Sequence, residues 1–149
     1  MYYFAYGSNM NWGQMQRRCP SAEFVCVGRL PDYCLAIARH SQLRKCGTAN
    51  IFVKPGTEVW GIVYRLSDQD FLNLDRFEDG YERRNVLVMA NGLEQKLLEA
   101  SAYIAKKEDA PLPNPEYKRL MLEGAKHWRL PQDYIAMLEQ IAVETRAAP

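Results

Sequence analysis

Tyr2 to Ala5 opens the chain as an aromatic run of extended character, and Tyr6-Gly7-Ser8-Asn9 supplies turn residues directly after it. Asn11 is placed to cap a short helix through Arg18, which stops before Pro20. Ala22 to Leu30 reads as a second strand and Tyr33 to Ala38 as a third. Gly47 to Val53 and Val59 to Leu66 follow as strands separated by a turn at Pro55-Gly56. Ser67 then opens a helix with Asp68 and Asp70 in its first turn, where acidic groups suit the dipole, and the pattern carries it to about Phe77 or Glu78. Tyr81 to Ala90 and Lys96 to Ala105 flank Asn91-Gly92, a two-residue hairpin signal. Pro111-Leu112-Pro113-Asn114-Pro115 leads into a helix from about Glu116 to Trp128. Pro131 opens a last helix running to about Val143.

Strands thus come mostly in succession, with one helix early, one central and two at the end. That order predicts an α+β fold: a curved, mostly antiparallel sheet or small β-barrel with flanking helices. The 149 residues suit one domain spanning 1–149, and no repeat or linker divides them.

Composition narrows the partners. With 19 basic and 18 acidic residues the formal net charge is +1, so there is no electrostatic basis for binding nucleic acid or an anionic membrane. No run approaches the roughly 18 apolar residues of a membrane span. The expected partner is a small molecule. Met1 runs straight into the first strand without an export signal, and the compartment reads as cytoplasmic. Cys19, Cys26, Cys34 and Cys46 then read as reduced thiols. They form no C-x-x-C pair, and His40 and His127 lie far apart, so no metal site is expected.

Candidate chemistry begins on the central helix. Phe71, Leu74 and Glu78 stand at i, i+3 and i+7 and share a face, so Glu78 points where a carboxylate is poorly solvated. Partial burial raises a carboxyl pKa toward neutrality, as a general acid/base needs. Asp75 is turned about 60° from it. Spacing alone leaves open, and indeed favours, the plainer arrangement: Glu78 past the helix end, solvated or paired with Arg83 or Arg84. The Tyr6 to Asn9 turn is the second candidate. Glycine allows close backbone approach, and successive N–H groups there can form an anion-binding nest or hold a developing oxyanion. The plainer alternative is a strand-to-helix turn capped by Ser8 or Asn9. A serine nucleophile is disfavoured, because Ser8 lacks the G-x-S-x-G elbow and a placed histidine. Trp12, Trp60 and Trp128 read as core or interface residues, and Lys106-Lys107-Glu108-Asp109 as a solvated loop.

Four motifs in order carry a resemblance. Tyr3-Phe4-Ala5-Tyr6-Gly7-Ser8-Asn9-Met10 contains Y-G-S-N, Glu58 to Tyr64 forms the strand before a helix, and Leu74-Asp75-Arg76-Phe77-Glu78 reads L-D-x-x-E. Ala110 to Lys118, with Glu123-Gly124-Ala125-Lys126 and Leu130-Pro131, completes the set. Together they resemble the γ-glutamylcyclotransferase (AIG2-like) family along nearly the whole chain. The resemblance implies that fold, a lyase or acyltransferase activity of glutathione metabolism, and no cofactor or metal. A γ-glutamyl amino acid or amine would be its substrate, cyclised to 5-oxoproline. It implies that Glu78 shuttles the proton and that Tyr3, Phe4, Ala5, Tyr6, Gly7, Ser8 and Asn9 line the glutamyl site. Tyr81 and Tyr117 correspond to two further site tyrosines, although the loop between Glu78 and Tyr81 is shorter than in many relatives. Some members are homodimers. Two other readings share the fold: a non-catalytic binding or interaction module, and removal of a γ-glutamyl protecting group in a biosynthetic route.

Overall fold

Two long strands dominate the molecule. β2 (Glu23–Ser41) and β3 (Cys46–Arg65) run antiparallel over almost their full length, joined by residues 42–45. Each had been expected as two shorter strands. The interruption is one of register: Pro31 faces Glu58 but Tyr33 faces Val53, so residues 54–57 bulge out opposite Asp32. Asp32 takes a φ of 63°, and its carboxylate accepts the Gly56 N–H at 3.1 Å. The turn chemistry at Pro55-Gly56 therefore makes a bulge, and a bulge bends a strand without ending its ladder.

A computed structural model describes residues 1–92 and 96–145. Within them β1 (Tyr2–Ala5), β4 (Tyr81–Ala90) and β5 (Leu97–Ala105) complete a closed barrel in the order β1-β3-β2-β4-β5. β1 pairs antiparallel with β3 and parallel with β5 at Tyr3 and Ser101; the remaining pairs are antiparallel. The mostly antiparallel barrel read from element order is the one that forms. β4 and β5 are joined through residues 91–96 rather than by a two-residue turn, with Ala90 N–H donating to the Lys96 carbonyl. Residues 93–95 of that connection lie outside the described residues. The sheet is apolar on both faces where the barrel and its helices cover it: Phe4, Ile51, Val59, Ile62, Val63 and Tyr64 are all fully buried. Removing each such side chain from water contributes about 1.5–3 kcal/mol.

Four α-helices flank the barrel among the described residues: α1 (Trp12–Arg18), α2 (Asp68–Asp75), α3 (Pro115–His127) and α4 (Gln132–Glu139). The first two are started by the residues the sequence suggests, Asn11 and Ser67; α3 is capped by Asn114, which the sequence reading did not single out. Asn11 accepts from Gln14 N–H at 3.0 Å, and Asn114 accepts from Tyr117 N–H at 2.8 Å. Ser67 and Asp70 exchange bonds in a reciprocal capping box. α4 ends at Glu139, short of Val143, because Lys118 Nζ gathers the carbonyls of Glu139 (2.6 Å) and Ile141 (2.7 Å) and turns the chain back over α3. No helix is long and apolar enough to cross a membrane.

α3 seats on the turn after β1. A Cβ added at Gly124 would lie 2.3 Å from the Met10 carbonyl carbon, so only glycine permits this approach. Trp128 Nε1 donates to the Met10 carbonyl at 3.1 Å and Tyr64 OH to the Asn9 carbonyl at 2.8 Å. Trp12 stacks on Tyr64 and meets Trp128 edge-on. The 106–109 run is the exposed loop expected, tied to the barrel at Glu108. Glu108 accepts from His40 N–H (2.7 Å) and Arg39 (3.4 Å), docking the segment against β2.

Candidate active site

β1 leads into Gly7, and Ser8–Met10 then form a 3-10 turn closed by Met10 N–H to the Gly7 carbonyl at 3.1 Å. A turn of this kind leaves its first N–H groups without internal acceptors. Among the described residues nothing accepts from the N–H of Gly7, Ser8 or Asn9. The side chains, by contrast, are fully engaged. Asn9 Nδ2 donates to Tyr3 OH at 2.9 Å, and Asn9 Oδ1 accepts from Gln14 (3.0 Å) and Arg18 (3.1 Å). Ser8 Oγ accepts from Gln14 at 2.8 Å. The turn is therefore held from outside while its main-chain donors remain available.

Glu78 is not on the helical stripe with Phe71 and Leu74. α2 ends at Asp75, and the chain continues in tight i→i+3 turns: Phe77 N–H to Leu74 (2.8 Å), Glu78 N–H to Asp75 (3.4 Å), Tyr81 N–H to Glu78 (3.1 Å). Gly80, at φ 80°, reverses the chain into β4. Lying past the helix end was the plainer sequence alternative, yet its corollary fails. Arg83 pairs with Asp75 at 3.3 Å and Arg84 with Glu82 at 3.1 Å, leaving Glu78 unpaired by either. Glu78 is half-buried, and desolvation pushes its carboxyl from 4.5 up to about 7. Arg18 and Arg44 pull it back down and Asp75 adds slightly to the rise.

Glu78 and the turn face one pocket, which holds about 510 Å³ of empty space open to solvent. Of the residues singled out in the sequence, Tyr3, Tyr6, Gly7, Ser8, Asn9, Glu78, Tyr81 and Tyr117 line it. Phe4 and Ala5 do not. Both are buried in the barrel, where Phe4 faces Val63 and Ala5 faces Ile62 across the β1–β3 ladder. Alternation along a strand sends Phe4 to the side opposite Tyr3; Ala5 shares the side of Tyr3, but its methyl is not among the groups lining the pocket.

The tyrosines are wall and donor groups. Burial raises Tyr3 and Tyr6 well above the ordinary phenol range, with Glu78 adding to the rise. Tyr117 is pushed up by burial to about 12. All stay protonated at neutral pH. Tyr117 OH accepts the Ala49 N–H at 3.0 Å, Tyr81 OH donates to the Ala49 carbonyl at 2.7 Å, and Tyr6 OH donates to the Tyr103 carbonyl. Tyr81 thus reaches the pocket despite the short loop before it. The sequence offered no motif for Arg18 at the end of α1, for Gln14, or for Arg44 in the β2–β3 connection. Arg44 Nη2 bonds Gln14 Oε1 at 2.8 Å and Ser8 Oγ at 3.3 Å. A proton acceptor titrating near neutrality, facing free N–H donors in a tyrosine-walled pocket, suits acyl chemistry with an internal proton transfer.

A model of the AIG2-like family matches residues 58–138. The chain is 35% identical over 146 residues to a γ-glutamylcyclotransferase of Mus musculus, spanning 93% of this chain and 77% of that protein. It is 34% identical to the γ-glutamylcyclotransferase of Homo sapiens, with the same coverage of each. A solved γ-glutamyl cyclotransferase structure superposes with a TM-score of 0.90 at 33% identity, over 100% of this chain and 92% of its own. Agreement of sequence, barrel and length at this level makes the chain a member of the AIG2-like γ-glutamylcyclotransferase family.

Proposed function

We propose that this chain is a γ-glutamylcyclotransferase that converts a γ-glutamyl amino acid or amine to 5-oxoproline and the free amino acid or amine, with Glu78 as the proton-transfer group. The observation that carries this is the Glu78 carboxyl, raised to about 7, in the same pocket as the Gly7 to Asn9 turn. Ionised Glu78 takes a proton from the substrate's α-ammonium. The neutral amine attacks the γ-carbonyl carbon, a C–N bond closes the five-membered ring, and the carbonyl oxygen gains negative charge. N–H donors of the turn stabilise that oxygen, each typically by about 2.7–4 kcal/mol. Glu78 returns its proton to the leaving nitrogen and relays the second proton shed by the ring nitrogen. The old C–N bond breaks, the carbonyl reforms, and the amine departs as an ammonium. Nucleophile and electrophile belong to one molecule, so the entropic demand is small.

Incubation with a mixed panel of γ-glutamyl dipeptides and amines, followed by detection of 5-oxoproline, tests the activity. Glu78→Gln is expected to abolish turnover with the fold retained. A variant as active as the parent would remove Glu78 from the mechanism. The same reading takes residues 1–149 as one domain working in the cytoplasm, and as a homodimer in keeping with the family resemblance; sedimentation at micromolar concentration tests the last point.

A further inference from the structure

Arg44 is one of two cations of this pocket, with Arg18, that no motif announced. It stands in the four-residue connection at the far end of the β2–β3 hairpin, and its guanidinium lies 5.2 Å from the centre of the Tyr117 ring. Its partners are both neutral: Gln14 Oε1 at 2.8 Å and Ser8 Oγ at 3.3 Å, each reached through Nη2. Among the described residues no carboxylate forms an ion pair with it. Arg18, the other arginine lining the pocket, likewise forms no ion pair among the described residues; it bonds Asn9 Oδ1 at 3.1 Å and lies over the Phe77 ring. Two arginines outside the pocket lining are paired. Arg39 is committed to Glu108 and the Asp79 carbonyl, and Arg83 to Asp75.

A guanidinium carries five N–H donors in a planar fork that matches a carboxylate. The two bonds to Nη2 hold the guanidinium of Arg44, which lines the pocket, and its remaining N–H groups make no hydrogen bond among the described residues. Gln14, itself buried, bonds Ser8, Asn9 and Arg44 at once, so the guanidinium is rigidly tied to the turn. Such a preorganised cation with unused donors selects an anion.

We propose that Arg44 is a specificity-determining residue that binds a carboxylate of the substrate. This rests on the activity proposed above. Two carboxylates on a γ-glutamyl amino acid have the required chemistry: the α-carboxylate of the glutamyl group and that of the departing amino acid. The test uses γ-glutamyl-alanine, γ-glutamyl-ethylamide, which lacks the departing carboxylate, and 4-aminobutanoyl-alanine, which lacks the glutamyl one.

Calorimetric Kd values are measured for the parent, Arg44→Met, which keeps the apolar stem, and Arg44→Lys, which keeps the charge. Arg44→Met is expected to weaken γ-glutamyl-alanine by about tenfold or more, with Arg44→Lys intermediate. One of the two truncated compounds should escape that loss, and which one identifies the carboxylate. An equal loss on all three compounds assigns Arg44 a merely structural hold on Ser8 and Gln14 and overturns the proposal, as does no loss at all. The 5-oxoproline assay runs in parallel. Binding with the predicted pattern but without turnover keeps Arg44 and overturns the activity, whereas turnover with a uniform loss overturns Arg44 alone.

Discussion

Glu78 owes its chemistry to a contest between desolvation and two guanidiniums. Burial raises its carboxyl to about 7, against the pull of Arg18 and Arg44. Because the ionised form is the base, kcat/KM is expected to rise through a pKa near 7, read from a pH–rate profile. A flat profile between pH 6 and 8 would contradict it. The same shift has a cost in stability. Between the ordinary carboxyl value of 4.5 and about 7 the folded chain holds a proton that the unfolded chain has released. Stability contributed by this group is therefore full below 4.5 and declines as pH rises through 7. Glu78→Gln removes the titration. It should stabilise the protein at pH 8 by about 1–3 kcal/mol and make little difference at pH 4.5, as measured by denaturant unfolding. At this scale the sequence revealed the residue type and the motif but not the environment. The helical spacing with Phe71 and Leu74 pointed to Glu78 for a reason the structure does not uphold, since α2 stops at Asp75. Burial reaches the carboxylate instead through a turn that folds it back over the pocket.

Elements explain how the site is held. The turn after β1 carries the main-chain donors, but α3 and the β2–β3 hairpin keep it in place. Gly124 is the closest point of that support, where any side chain would meet the Met10 backbone. Gly124→Ala is expected to destabilise the fold by about 1–3 kcal/mol through overpacking. It should also lower kcat by shifting the Ser8–Met10 turn; unfolding curves and steady-state rates check the two effects separately. The Asn11 and Ser67 caps were legible in sequence because each is a local bargain: these side chains, like that of Asn114, sit where they meet N–H groups three residues on. The ends of strands were not legible. The Pro55-Gly56 signal marks a turn, and whether a turn ends a strand or bulges from it depends on the partner strand. Glu108 shows the same limit, since its hydrogen-bond donors, His40 N–H and Arg39, lie on a distant strand.

At the scale of the molecule, the four-residue β1 closes the barrel between β3 and β5, and helices from both ends of the chain pack beside it. Met10, Trp12, Tyr64 and Trp128 join the helical side to the barrel, so neither part buries its apolar face alone. One cooperative unfolding transition is expected. Trp60 reports on the barrel and Trp12 with Trp128 on the helical side, so fluorescence and far-UV circular dichroism should give coincident curves. Separated midpoints would divide the chain into two folding units. Residue patterning by itself determined the α+β class, the order of elements and the Asn11 and Ser67 caps, because propensity, alternation and capping act over a few neighbouring residues. It also determined family membership, through motifs spread along the chain. Tertiary structure alone decided that Tyr3 lines the pocket while Phe4 and Ala5 do not, that Glu78 is desolvated, and that Arg18, Gln14 and Arg44 meet around Ser8 and Asn9. Solvent exclusion and the meeting of charges are properties of groups brought close by folding, and separation along the chain carries no record of them.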